Sequence, residues 1–208
     1  MKKIVFIIFF VFVLVSVSKA EILNGSFESG SDGYMPNGVY TIYPNWKMPD
    51  FWDWRNSGAT NGHTRLINSP DGPGWSSDGY WSLYMFASTG GSHLPGDYLE
   101  FYQEADLTDM TAITFDAYLK GGLHTNSYIA IDSDKLWVTN IAGEYFEESI
   151  DISSYTGIHE IVLGVAVFEA FPSDADGWTF YDNISLVPEP ATLMFFALGG
   201  LMVRRKRS

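Results

Sequence analysis

Five aromatic rings crowd the twelve residues Tyr43–Trp54, which read YPNWKMPDFWDW. Sugars bind proteins largely by laying their C–H faces on such rings while polar groups read the hydroxyls. Pro44 and Pro49, with the neighbouring acids, argue against a regular central strand here, so some of these rings should lie near the surface. Trp52 and Trp54 flank Asp53 and point the same way if the chain is extended. Trp75 sits in a turn, Asp71-Gly72-Pro73-Gly74-Trp75. Tyr43, Trp52, Trp54 and Trp75 are therefore the expected ligand platform. The competing reading packs the same rings beneath a long loop. Trp81, Trp137 and Trp178 fall in strand-like runs and are expected in the core.

A second chemistry belongs to the acids. In the run Trp178–Val187, alternation puts Trp178, Phe180, Asp182, Ile184 and Leu186 on one face. Asp182 then sits among apolar residues, where a carboxylate needs a partner. Cationic side chains are scarce, and calcium, a hard cation that prefers oxygen ligands, is an alternative to hydrogen bonds from backbone amides.

Catalysis finds little support. His63, His93, His124 and His159 are scattered and form no metal-ligating pattern. There is no nucleophile elbow, P-loop or dinucleotide fingerprint. The many acids will supply carboxylate pairs by chance, so a pair suited to glycoside hydrolysis is not distinctive. The protein is read as non-catalytic, with a glycan hydrolase as the lesser alternative. Cysteine is absent, which removes disulfides, thiolate metal sites and a cysteine nucleophile.

The elements that must position these residues are strands. Period-two runs bounded by turn residues occur at 38–43, 80–86, 98–103, 112–119, 128–131, 136–139, 160–168 and 178–187. The 160–168 run is apolar on both faces, as in a central strand of a covered sheet. No sustained helical period occurs between them. The pattern predicts an all-β domain, a β-sandwich.

The ends have a different character. Residues 1–20 combine Lys2 and Lys3, an apolar run from Ile4 to Val15, and small residues at Ser18 and Ala20. That is a secretory signal peptide cut before Glu21. The last residues combine Pro188-Glu189-Pro190, an apolar stretch from Ala191 to Val203, and the basic cluster Arg204, Arg205, Lys206 and Arg207. Thirteen apolar residues make about 20 Å of helix, a short span suited to a temporary anchor whose charges stay on the cytoplasmic side. The chain thus divides into a leader (1–20), a sandwich domain (21–187) and a tail (188–208), with a hydrophobic helix expected at each end.

Charge follows the same division. The chain has 12 Lys and Arg against 25 Asp and Glu. Seven of the cations lie in the leader and the basic tail, which leaves five (Lys47, Arg55, Arg65, Lys120, Lys135) in the domain. Only Glu189 among the acids lies outside, so the domain holds 24 and carries −19. Nucleic acid and anionic lipid are excluded as partners, while calcium, neutral sugars and basic partners stay open.

The tail, with its Pro-Glu-Pro motif, Gly-containing apolar segment and Arg-rich end, resembles the PEP-CTERM sorting signal of Gram-negative bacteria. The resemblance implies export across the inner membrane and transient anchoring there. A membrane-embedded exosortase would then process the tail near Pro188, Glu189 and Pro190, and the domain would move to the cell surface or an exopolysaccharide or biofilm matrix.

The domain resembles the galactose-binding-like jelly roll of many carbohydrate-binding modules. The residues that carry this are Asn24-Gly25-Ser26-Phe27-Glu28 near its start and Tyr181-Asp182-Asn183-Ile184 at its end. Asp78-Gly79-Tyr80-Trp81-Ser82-Leu83, the strand ending at Gln103, and the turn from Ile150 to Gly157 agree with it. The resemblance implies a jelly-roll sandwich with its ends together and a ring, Trp46, packed inward. It also implies a structural calcium held by Glu28 and Asp182, with backbone carbonyls near Asn24 and Asp78 completing the shell. The function expected is a non-catalytic module that holds neutral polysaccharide. The alternative is a structural matrix protein with no specific ligand.

Overall fold

A computed structural model describes residues 21–27, 30–31, 48–49, 51–57, 63–66, 76–77, 82–87, 95–121, 125–168 and 177–189. Among these residues twelve strands follow one another: β1 (Gly30–Ser31), β2 (Met48–Pro49), β3 (Asp53–Asn56), β4 (His63–Leu66), β5 (Leu83–Ala87), β6 (Tyr98–Asp106), β7 (Met110–Gly121), β8 (Thr125–Ile131), β9 (Asp134–Thr139), β10 (Gly143–Asp151), β11 (Ile158–Val167) and β12 (Gly177–Pro188). One sheet has the order β10-β7-β12-β5-β4 and a second has β3-β6-β11-β8-β9, while β1 and β2 form a separate pair. All pairings are antiparallel. The molecule is the expected all-β sandwich, and β11 is a central strand, as its two apolar faces demand.

Alternation sorts the side chains. Ile113, Phe115, Ala117 and Leu119 of β7 face Leu99, Phe101, Ile129, Ile131, Ile161, Leu163 and Val165 of the second sheet across one buried core. Apolar burial of this kind is the main source of stability, at about 1.5–3 kcal/mol for each large side chain. Polar bonds also cross the core. Tyr181 donates its hydroxyl to the carbonyls of Tyr128 and Gly164 at 3.0 Å each, and Thr179 shares a hydrogen bond with Ser127. Burial pushes the Tyr181 phenol well above its ordinary pKa, so it stays a donor.

The start of the domain closes on its end. Gln103 takes the Leu23 amide on its Oε1 (3.0 Å) and donates Nε2 to the Leu23 carbonyl (3.2 Å). The Ile184 amide donates to the Gly25 carbonyl at 2.9 Å. A Cβ on Gly25 would lie 1.9 Å from the Ile184 carbonyl oxygen, so only glycine allows this approach. Phe27 and Ile22 are buried in the core beneath it.

Two departures from the sequence reading stand out. The strand β10 was not expected, because a bulge between Tyr145 and Glu148 breaks its alternation. A second bulge, between Asp182 and Ser185, changes the face assignment in β12. Asn183 there has a φ of +52°. Thr179, Tyr181, Ile184 and Leu186 therefore face the core, while Phe180 and Asp182 face outward. Asp182 does not share a face with Ile184 and Leu186, as plain alternation required. Strand β12 also continues through Pro188, one residue past the expected domain boundary. Among the described residues no helix is long and apolar enough to cross a membrane. Both expected terminal helices lie outside those residues, as does Trp46.

Candidate functional site on the outer face of the second sheet

Strand β6 reads Tyr-Leu-Glu-Phe-Tyr-Gln-Glu-Ala-Asp. Leu99, Phe101, Gln103 and Ala105 are buried inward, so Tyr98, Glu100, Tyr102 and Glu104 face outward. The register then builds a row across all five strands. Arg55 of β3 lies opposite Glu100, Glu100 opposite Gly164 of β11, Gly164 opposite Tyr128 of β8, and Tyr128 opposite Val138 of β9.

This row is tightly bonded. Arg55 donates Nε to Glu100 at 2.5 Å and Nη2 to Glu160 at 2.6 Å. Its guanidinium lies 4.7 Å from the centre of the Tyr102 ring. Tyr128 donates its hydroxyl to the other oxygen of Glu100 at 2.5 Å. The Lys135 ammonium of β9 stands 3.9 Å from the centre of the Tyr128 ring. Gly164 gives the Tyr128 ring its place, since a Cβ there would come within 2.2 Å of Cζ. Burial and the adjacent Glu100 carboxylate push the Tyr128 phenol well above its ordinary pKa. Burial opposes the charge on Arg55, but the bonds from Glu160 and Glu100 outweigh it, and the guanidinium is held charged.

The result is a polar and aromatic shelf on a rigid sheet. Tyr98 and Tyr102 are half-buried and offer ring surface. The Arg55 side chain is 37% exposed beside them, and its Nη1 has no partner among the described residues. Rings for stacking and a fixed guanidinium for hydroxyl oxygens are what a sugar surface requires. The carboxylates of Glu100 and Glu160 are already paired with Arg55, which suits binding better than proton transfer.

Of the expected platform, Trp52 and Trp54 lie among the described residues. Trp52 is only 5% exposed and belongs to the core, with its ring 5.6 Å from Phe27 and its Nε1 donating to the Asn24 carbonyl at 3.4 Å. Trp54 is half-buried against the same core. The two indoles do point the same way, but inward, because Trp54 lies opposite inward-facing Phe101. Trp52 is therefore no part of a surface platform, and the residues this segment turns outward are Asp53 and Arg55. Tyr43 and Trp75 lie outside the described residues. Arg55, Glu100 and Tyr102 were missed, although the alternation of β6 carried the signal for the latter two.

The expected calcium ligands are partly described. Asp182 is fully buried. Its Oδ2 accepts from the Ser77 amide at 2.8 Å and from the Ser76 and Ser77 hydroxyls at 3.2 Å each, and its Oδ1 accepts from the Asn183 amide at 2.9 Å. Asp116, also buried, lies opposite Asp182 and accepts from the Glu147 amide at 2.6 Å. The Asn24 carbonyl accepts from the Phe27 amide. Glu28 and Asp78 lie outside the described residues. Among those described, no three His, Cys, Asp or Glu side chains converge on one point. Oxygen-only chemistry suits a hard cation, but the amide donors on both Asp182 oxygens compete with it.

Solved structures with similar architecture include TmCBM61 in complex with beta-1,4-galactotriose, at 14% identity and a TM-score of 0.47, covering 83% of this chain and 100% of that one. They also include the K2 cleaved adhesin domain of Lys-gingipain, at 10% identity and a TM-score of 0.46, covering 67% and 91%. A third is TmCBM27, a carbohydrate-binding module studied for mannan recognition, at 20% identity and a TM-score of 0.38, covering 66% and 89%. No curated protein matches the chain. The tail does match a family model: residues 186–207 carry the PEP-CTERM protein-sorting motif, a signal for export and surface sorting.

Proposed function

We propose that this is an exported, exosortase-processed surface protein whose sandwich binds neutral polysaccharide without acting on it, in an exopolysaccharide or biofilm matrix. The binding face is the outer side of the second sheet. The observation that carries the reading is the Arg55–Glu100–Tyr102 arrangement, a fixed guanidinium paired with Glu100 and Glu160 beside ring surface on a sheet. Binding should be weak and nearly independent of salt, because the shelf reads hydroxyls rather than charge. The test is gel retardation and calorimetry of the mature domain against a panel of neutral polysaccharides. Arg55→Ala and Tyr102→Ala should each weaken binding about tenfold, the weight of one good stacking or charged hydrogen-bond contact. A panel with no binder would favour the structural matrix protein, a reading that the burial of Trp52 supports.

Calcium enters as a structural ion in the same proposal, with Glu28 and Asp78 joining Asp182. Its support is the presence of two buried carboxylates in register, a repulsive pairing that a cation would relieve. A chelator should lower the melting temperature of the parent, and Asp182→Ala should remove that response. An unchanged melt would leave Asp182 as a structural hydrogen-bond acceptor, with Ser76, Ser77 and Asn183 among its donors.

A further inference from the structure

The sorting motif begins inside the folded domain. Its match starts at Leu186, and Leu186, Val187 and Pro188 are residues of β12, opposite Ile113, Ala112 and Met110 of β7. The bonding continues past the strand. The Glu189 amide donates to the Asp109 carbonyl at 2.8 Å, and the Thr111 hydroxyl donates to the Val187 carbonyl at 3.2 Å. Asp109 has a φ of +62°, which turns the chain between β6 and β7 so that its carbonyl meets Glu189. Only Pro190 separates this last bonded residue from the apolar stretch that starts at Ala191. An extended residue spans at most about 3.6 Å, so the motif has almost no slack between sheet and anchor.

A processing enzyme reads its target as an extended segment with free backbone groups. Of the three motif residues, Pro188 instead lies opposite Met110 of β7, and Glu189 is bonded to Asp109 just before it. We propose that Met110, Asp109 and Thr111 form a clasp on the Pro-Glu-Pro motif, and that the enzyme acts only after Pro188–Glu189 has peeled away from β7. The partner this implies is one that takes over the strand edge that β7 gives up. The proposal rests on the sorting reading.

The test follows processing of the full-length precursor in an exosortase-containing host, with intact mass and a pulse-chase as readouts. A Gly-Ser-Gly-Ser insertion between Val187 and Pro188 keeps Pro188-Glu189-Pro190 and all that follows it intact but moves them off the clasp. It should speed processing by about three- to tenfold, the weight of one or two backbone hydrogen bonds. The double variant Ala112→Cys, Val187→Cys tests the reverse. These residues are register partners, a spacing that suits a disulfide, and the chain has no cysteine of its own to compete. The oxidised form should be processed more slowly than the parent, and reductant should restore the rate. Insertion without acceleration, or a locked form processed at the parent rate, overturns the clasp while leaving sorting intact. A parent that keeps its Arg-rich end in such a host overturns the sorting reading itself, and the clasp with it.

Discussion

His159 meets an acceptor at each ring nitrogen. Nδ1 lies 2.8 Å from Asp132 Oδ2, and Nε2 lies 3.1 Å from the Thr156 carbonyl. A neutral imidazole can donate to only one of them, so the imidazolium is the form that satisfies both. The hydrogen bond to Asp132 accordingly raises the His159 pKa, and the same bond lowers that of Asp132. The two shifts fix the sign of the pH dependence. The histidine contribution is fully present below the ordinary imidazole pKa and is lost as pH rises through the raised value. The aspartate contribution is present above the ordinary carboxylate pKa and is lost as pH falls through the lowered one. The link between the β8–β9 turn and the start of β11 is therefore strongest in mildly acidic solution. The melting temperature of His159→Gln should fall further below the parent at pH 6 than at pH 8.5. Equal deficits at both values would show that the charge on the ring adds nothing, leaving one neutral hydrogen bond and the packing against Tyr155.

Among the elements, the paired bulges decide which side chains reach which surface. Asp116 lies between them, opposite Asp182 of β12 and one step from the irregularity in β10. The Glu147 amide, freed from the ladder by its own φ of +52°, donates to Asp116 at 2.6 Å instead. Asp116→Ala leaves that amide without its acceptor and should cost about 1–3 kcal/mol in urea unfolding. Asp116→Asn keeps one acceptor oxygen and should cost less. If the two variants unfold alike, Asp116 is not what holds the bulge. The same bulges explain what the sequence showed and what it hid. Strands β6 and β7 were legible because their long runs alternate strictly, and β11 because a run apolar on both faces reads as a central strand; β12 was legible as a strand, but its bulge hid the face that Asp182 takes. Strand β10 was not, because Tyr145, Phe146, Glu147 and Glu148 interrupt the period. The outward face of β6 was written in its alternation, whereas Arg55 was obscured by the tryptophans beside it. Which side of β3 faces the core depends on its pairing with β6, a long-range contact that no local pattern encodes.

In the whole molecule, both ends of the exported domain are structural. Phe27 is fully buried and Ile22 nearly so. Leu23 is held by Gln103, and Gly25 by Ile184 of the last strand. The core therefore cannot close until residues near 21 and near 184 are both in place. That order suits a chain anchored at its C-terminus, since the last strand becomes available only when export is nearly complete. Cleavage after Ala20, where the sequence predicts a leader to end, would leave this first segment intact, with one residue to spare before Ile22. A domain that starts at residue 28 loses both buried side chains and the Gly25 contact. It should lose about 3–5 kcal/mol or more of unfolding free energy, the usual cost of emptying one large aromatic site. Gln103→Ala should cost far less, because Leu23 is 45% exposed and its backbone groups can turn to water. Urea midpoints of the mature domain, the shortened domain and the Gln103 variant make the comparison. If the shortened domain unfolds at the parent midpoint, residues 21–27 are an appendage, and the closure of the two ends is not what completes the sandwich.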